Sequence, residues 1–121
     1  MLTNYLFLCY ISQCALGDGG TAVIEIAAAA GITLIKEEEK NPMNTTTYGV
    51  GELIKDAVAK GCRNFIIGIG GSATNDCGIG MLQALGFDFL DADGKPVEFG
   101  AKGLYNIKSI KIGRASCRER V

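Results

Sequence analysis

The chain has 121 residues, of which 48% are hydrophobic, 12 are basic and 13 are acidic. This length accommodates one small domain with a real hydrophobic core and excludes a large two-domain enzyme within the sequence. The near-neutral charge and scattered lysines argue against nucleic acid as a partner. Histidine is absent, so proton transfer or metal binding would depend on Asp, Glu, Lys or Cys, and most zinc and catalytic-triad chemistries are excluded.

Cysteine usage and the N-terminal segment both bear on the compartment. The five cysteines form no C-x-x-C pair and their number is odd, so we expect a reducing cytoplasm and no closed disulfide framework. Residues 6–11 are apolar, but no basic segment precedes them and the run is too short to span a bilayer. We therefore expect neither a signal peptide nor a membrane anchor. We expect this segment to be a buried strand or to be foreign to the domain.

The first predicted elements follow a glycine-rich turn. Residues 21–26 read as a short strand, residues 27–30 as a helical turn, and Gly31 as its end. Glu25 lies inside this apolar stretch, where burial of an unpaired carboxylate would be costly. It is expected either at a strand end that faces solvent or at a functional site.

A second helix is predicted over residues 50–60, after a short extended piece at residues 32–35. Three consecutive threonines precede this helix. Such residues usually form caps and turns, although Thr46 and Thr47 could also hold a substrate carboxylate or phosphate. The helix has an apolar face made of Leu53, Ile54, Ala57 and Val58.

Most of the chemistry is concentrated in residues 65–85. An apolar strand, residues 65–69, runs into a glycine-rich loop, and a helix ended by Gly86 follows. Asn75 or Asp76 can cap the first turn of that helix. A strand, a glycine loop and a helix N-terminus together favour a bound anion, because the free amides and the helix dipole both attract negative charge.

Phosphoryl transfer is one interpretation of this loop. The amides of Gly70 and Gly71 and the hydroxyls of Ser72 and Thr74 can bind phosphate oxygens, and Asp76 could hold Mg²⁺ or orient an attacking hydroxyl. A plain turn and cap is the simpler alternative.

Dinucleotide binding is the competing functional interpretation. Residues 68–73 fit the pattern G-x-G-x-x-A, and Asp88 lies about 20 residues further on, where a ribose-binding acid is expected. However, polar residues and glycines over residues 74–80 delay the helical period. A P-loop is excluded because no G-K-[S/T] follows.

The remaining segments complete an α/β pattern. Residues 87–90 read as a strand, residues 91–94 as a hairpin turn and residues 96–99 as a returning edge strand. Helices alternating with strands predict an α/β layered domain. Residues 112–121 resemble a translated sequencing adapter, with an ordinary basic tail as the alternative, so we expect the natural protein to continue past Lys111.

The central motif resembles the signature of the bacterial glycerate kinase family. The resemblance covers residues 17–111 and leaves residues 1–16 unmatched. It is carried by the run Gly68-Ile69-Gly70-Gly71-Ser72-Ala73-Thr74-Asn75-Asp76, by residues 78–86, and by ordered blocks at residues 21–25, 41–42, 45–54 and 90–94.

This resemblance implies a partial α/β domain of a two-domain kinase that phosphorylates D-glycerate with ATP and Mg²⁺ in the cytoplasm, and that could form a homodimer when intact. The nicotinamide-dinucleotide-binding domain of an oxidoreductase stays the alternative. Asp76 becomes the candidate catalytic residue and metal ligand. The candidate substrate- and phosphate-binding residues are Gly70, Gly71, Ser72, Thr74, Asn75, Glu25, Thr46 and Thr47.

The sequence also departs from the family pattern. Cys77 stands where the family commonly has glycine, which is harmless unless the position needs a positive φ. The family's N-terminal blocks and its C-terminal half are missing. Half a cleft cannot exclude water or close on a substrate, so we predict little or no kinase activity for the chain alone.

Overall fold

The computed structural model describes residues 20–112, so the predictions for residues 1–16 and, except for Ile112, for residues 112–121 lie outside this range. Short 3₁₀ segments, Ile32–Leu34, Glu37–Glu39 and Ala101–Asn106, lie in the connections. The described strands are β1 (Thr21–Glu25), β2 (Asn64–Gly68), β3 (Phe87–Leu90) and β4 (Ser109–Ile112), and the α-helices are α1 (Ile26–Ala30), α2 (Tyr48–Ala59) and α3 (Ile79–Ala84).

Strands β1 and β2 form a parallel pair that α2 covers. Ile24 lies opposite Ile67 in the register, and alternation along the strand turns Ile24 toward the helix. The apolar face predicted for α2 supplies the other side of this core. The buried cluster contains Ile24, Ala30, Val50, Leu53 and Ile54. The predicted mixed α/β class is confirmed.

Helix α3 packs closely on α2 because a glycine lies at their contact. A Cβ added to Gly51 would clash with the carbonyl oxygen of Met81 and lie 2.6 Å from the Cβ of Ala84. This close approach holds the first turn of α3 beside the start of α2, where the threonines lie.

The antiparallel pair of β3 and β4 differs from the predicted hairpin. The strand at residues 87–90 and the turn after it are confirmed, and the Asp91 side chain accepts from the amides of Asp93 and Lys95, each at 2.9 Å. The edge strand expected at residues 96–99 was wrong. Pro96 forms only an isolated bridge with Leu90, since proline cannot donate to a ladder. The partner of β3 is β4, in which Ile112 lies opposite Phe87.

The extended piece expected at residues 32–35 was also wrong. Ile32–Leu34 is a 3₁₀ turn. The amide of Ile32 donates to the Gly71 carbonyl at 2.9 Å, and that of Leu34 donates to Gly31 at 3.1 Å. The hydrogen bond to Gly71, which is distant in sequence, thus holds this segment in a turn, although its β-branched residues favour an extended strand. Within residues 20–112, no helix has the length and apolarity needed to cross a bilayer.

Candidate active site

Two loops meet beyond the carboxyl ends of β1 and β2. Glu25 and Gly68 are paired at that edge of the sheet. The glycine loop, residues 70–76, follows β2, and the threonine loop, residues 44–47, leads into α2. The site is built where these loops contact each other.

Asp76 is the principal link between the two loops. Its side chain is buried, with a relative exposure of 1%. Its Oδ2 accepts from the Thr47 amide at 2.9 Å and the Thr47 hydroxyl at 2.9 Å. The Gly80 amide donates to the same oxygen at 3.1 Å, and the Gly78 amide donates to Oδ1 at 3.0 Å. The amides at the start of α3, for which the sequence offered either a bound anion or an Asp76 cap, thus donate to Asp76 of the chain itself.

The link requires a glycine at position 80. A Cβ there would clash with the Thr46 hydroxyl oxygen and lie 2.8 Å from Asp76 Oδ2. The Thr47 hydroxyl also accepts from the Met81 amide at 2.9 Å. Threonine loop, Asp76 and helix α3 therefore form one hydrogen-bonded unit.

A second set of contacts fixes the middle of the glycine loop. The Thr45 hydroxyl donates to the Ala73 carbonyl at 2.8 Å, and the Ala73 amide donates to the Ala30 carbonyl at 2.8 Å. The hydroxyl oxygens of Ser72 and Thr74 lie 2.7 Å apart, and the Thr74 amide donates to the Ser72 hydroxyl at 3.0 Å. These hydroxyls therefore already have partners within the loop.

The first part of the glycine loop is open by comparison. Gly70 and Gly71 are exposed, and no atom lies within 4 Å of a Cβ built on Gly70. Gly71 has a φ of 70°, a conformation that favours glycine. A ligand could approach this stretch of backbone closely.

A pocket of about 460 Å³ lies beside the two loops. Its wall is mostly apolar, and its polar side chains come chiefly from the threonine loop. The lining residues are Ala29, Ala30, Gly31, Leu34, Ile35, Asn44, Thr45, Thr46, Gly49, Glu52, Leu53, Thr74 and Phe99.

Comparison with known proteins assigns this arrangement to a family. The family model described as "Glycerate kinase family" matches residues 9–120. The chain belongs to the glycerate kinase family.

Individual relatives agree with this assignment. The chain is 57% identical over 96 residues to a glycerate kinase from Haemophilus influenzae, a match that covers 79% of this chain and 25% of the relative. It is 52% identical over 96 residues to the glycerate 2-kinase of Escherichia coli, with the same coverage of 79% and 25%. A crystal structure assigned to glycerate kinase 2 from Salmonella typhimurium LT2 superposes with a TM-score of 0.74 at 48% identity, covering 76% of this chain and 25% of that one. The chain thus spans about a quarter of the length of these relatives.

The residues predicted for the glycerate kinase site lie in three different environments: the pocket wall, the buried link and the exposed surface. Thr46 and Thr74 line the pocket, and Thr47 and Asp76 form the buried link beside it. Asn75 and Glu25 are exposed. Glu25 lies at the exposed end of β1, beside the site, and its role as a site residue stays a prediction.

Only Thr46 and Thr74 of the pocket lining were predicted as site residues, and the missed residues include Asn44, Thr45, Glu52 and Phe99. Asn44 directly precedes the threonines, so a hydroxyl- and amide-rich stretch was the available signal. Glu52 lies one turn into α2, and it lines the pocket together with Ala29 and Ala30 of α1. No local pattern indicated its place.

The dinucleotide-binding alternative does not fit the geometry. A Rossmann helix begins within its glycine pattern, whereas α3 begins at Ile79, well after Ala73. Among residues 20–112, no three His, Cys, Asp or Glu side chains are grouped as a metal site. Cys77 has a φ of 55°, so the position at which the resemblance led us to expect glycine does adopt the left-handed conformation.

Proposed function

We propose that this chain supplies one wall of the active site of an ATP-dependent kinase that phosphorylates D-glycerate. The observation that carries the proposal is the junction of the glycine and threonine loops beside one pocket, in a chain 57% identical to a glycerate kinase over 96 residues. Phosphoryl transfer depends mainly on positioning and charge stabilisation, and a loop pair held by a buried carboxylate supplies positioning.

Within this proposal, the open backbone of Gly70 and Gly71 is available to phosphate oxygens. Backbone amides in a glycine-rich stretch can approach an anion without interference from side chains. Ser72, Thr74 and Asn75 continue the same wall. Glu25, Thr46 and Thr47 stay weaker candidates for contacts with glycerate.

Asp76 was predicted as the catalytic residue and metal ligand, and both roles stay predictions. Its hydrogen bonds support a positioning role instead, because both carboxylate oxygens accept from groups of the chain. Metal binding would require some of these bonds to break. Among the described residues, no three His, Cys, Asp or Glu side chains group into a metal site. The cytoplasmic location and a homodimer of the intact protein belong to the same proposal.

A chimaera tests the function. In it, the segment of the Haemophilus influenzae kinase that matches this chain over 96 residues is replaced by the corresponding residues of this chain. We expect ATP consumption that depends on D-glycerate, with a kcat/KM within about tenfold of the parent kinase. Phosphorus NMR of the product identifies the hydroxyl that is phosphorylated.

The 121-residue chain alone is the matched control, and we expect little or no turnover from it. A chimaera that folds, as judged by circular dichroism and a cooperative thermal transition, but does not phosphorylate D-glycerate would contradict the proposal.

A further inference from the structure

The charge of the pocket beside the threonine loop limits what it can bind. Among the described residues that line it, none is lysine or arginine, and the one charged side chain is the carboxylate of Glu52. Glycerate is a small anion, and the triphosphate of ATP carries several negative charges. An anion placed beside Glu52 with no cation would be strongly disfavoured, because burial raises the cost of an unpaired charge.

The walls of the pocket suit a flat, uncharged group. Leu34, Ile35 and Leu53 contribute aliphatic surface. Phe99 adds an aromatic ring that is 52% exposed and whose centroid lies 5.2 Å from that of Tyr48. A volume of about 460 Å³ lies within the range of small-molecule sites, which are mostly apolar with a few polar groups that fix orientation.

The polar groups that are not already engaged match a nucleobase edge. Among residues 20–112, the side chains of Asn44 and Glu52 have no hydrogen-bond partner, whereas the Thr45 and Thr46 hydroxyls bond to Ala73 and Asp76. The amide of asparagine carries one donor group and one acceptor, the pattern that recognises adenine. The carboxylate of Glu52 can accept from an exocyclic amino group.

We propose that this pocket binds the adenosine part of a nucleotide, while the phosphates and glycerate lie beyond its glycine-loop side, the side that Thr46 and Thr74 line. The assignment rests on the proposed kinase function for naming ATP as the nucleotide. The adenosine of NAD has the same chemistry, and the experiment distinguishes the two sources.

The test measures binding of adenosine, ATP, NAD, D-glycerate and inorganic phosphate by calorimetry, to the 121-residue chain and to the chimaera. We expect adenosine to bind both proteins, and D-glycerate and phosphate not to displace it. Phe99→Ala removes the ring and Ala29→Leu fills the pocket, and each is expected to weaken adenosine binding about tenfold or more. Tyr105→Ala is the matched control, because Tyr105 is 80% exposed and does not line the pocket, and its affinity should be unchanged.

Kinetics of the chimaera give a second measurement. Phe99→Ala should raise the KM for ATP about tenfold and leave the KM for D-glycerate unchanged. Any one of three results would overturn the pocket assignment. These are no adenosine binding to either protein, displacement of adenosine by D-glycerate, and equal adenosine affinity in the two pocket variants and the parent. Stronger binding of NAD than of ATP, in a chimaera without kinase activity, would retain the pocket assignment and overturn the kinase function.

Discussion

The two ends of the glycine loop differ in exposure and in packing. Gly70 and Gly71 are exposed, with open space around the Cβ position of Gly70. At the other end, Asp76 is buried and saturated with hydrogen bonds, and Gly80 leaves no room for a methyl group. Stability and access for a ligand are therefore separated along one short segment, so substitutions at the two ends should have different consequences.

The largest expected effect is that of Asp76→Ala. The substitution leaves the amides of Thr47, Gly78 and Gly80 without the acceptor they have in the structure. We expect the free energy of unfolding to fall by about 3 kcal/mol, since each buried unsatisfied donor is costly. Urea denaturation followed by circular dichroism measures this change.

Asp88→Ala is the control for that experiment, because Asp88 is exposed and a change within about 0.5 kcal/mol is expected. A second possible outcome would favour metal binding by Asp76. An Asp76→Ala variant with the urea midpoint of the parent, and a higher Mg²⁺ requirement in the chimaera, would contradict the positioning role.

Gly80→Ala and Gly70→Ala compare the two ends directly. At position 80 the new methyl group would clash with Thr46 and crowd Asp76, so we expect a loss of about 2 kcal/mol from overpacking. At position 70 the methyl group meets no atom within 4 Å, and a change within about 0.5 kcal/mol is expected. Equal losses at the two positions, measured by thermal unfolding, would mean that the ends do not differ in packing.

Local chemistry was sufficient to predict the main elements that position the site. The β-branched run before the glycines, the apolar face of α2 and the turn at Asp91 each carry their signal within a few residues, and each is present. Family membership was accessible for the same reason, because the motif from Gly68 to Asp76 is contiguous in the sequence.

The contacts between distant segments could not be predicted in this way. The link from Asp76 to Thr47 joins residues 29 positions apart. Strand β3 pairs with β4 and not with the nearer segment, residues 96–99, that the turn after β3 suggested. The 3₁₀ turn at Ile32–Leu34 likewise depends on the carbonyl of Gly71. In each case the hydrogen bonds join segments that meet only in the folded chain, so no local pattern indicates them.

Thr45→Val tests the smaller contact between the loops. The substitution keeps the shape of the side chain but removes the hydroxyl that donates to the Ala73 carbonyl at 2.8 Å. We expect a loss of about 1 kcal/mol in the free energy of unfolding, the usual contribution of one hydrogen bond. Thr33→Val, at an exposed position, is the control. Similar losses for both variants would show that β-branching and not the hydrogen bond determines the effect.

The smallest expected effect is a gain, at Cys77. This residue is the one non-glycine with a positive φ among residues 20–112, at 55°, and side chains are disfavoured in that conformation. We expect Cys77→Gly to raise the free energy of unfolding by about 0.5 to 1 kcal/mol, because relief of strain exceeds the added freedom of the unfolded chain. Cys77→Ala keeps the Cβ and removes only the thiol, so it should unfold at the same urea concentration as the parent. A gain shared by both variants would place the effect in the exposed thiol, whereas a gain confined to glycine would place it in the backbone at the saturated end of the loop.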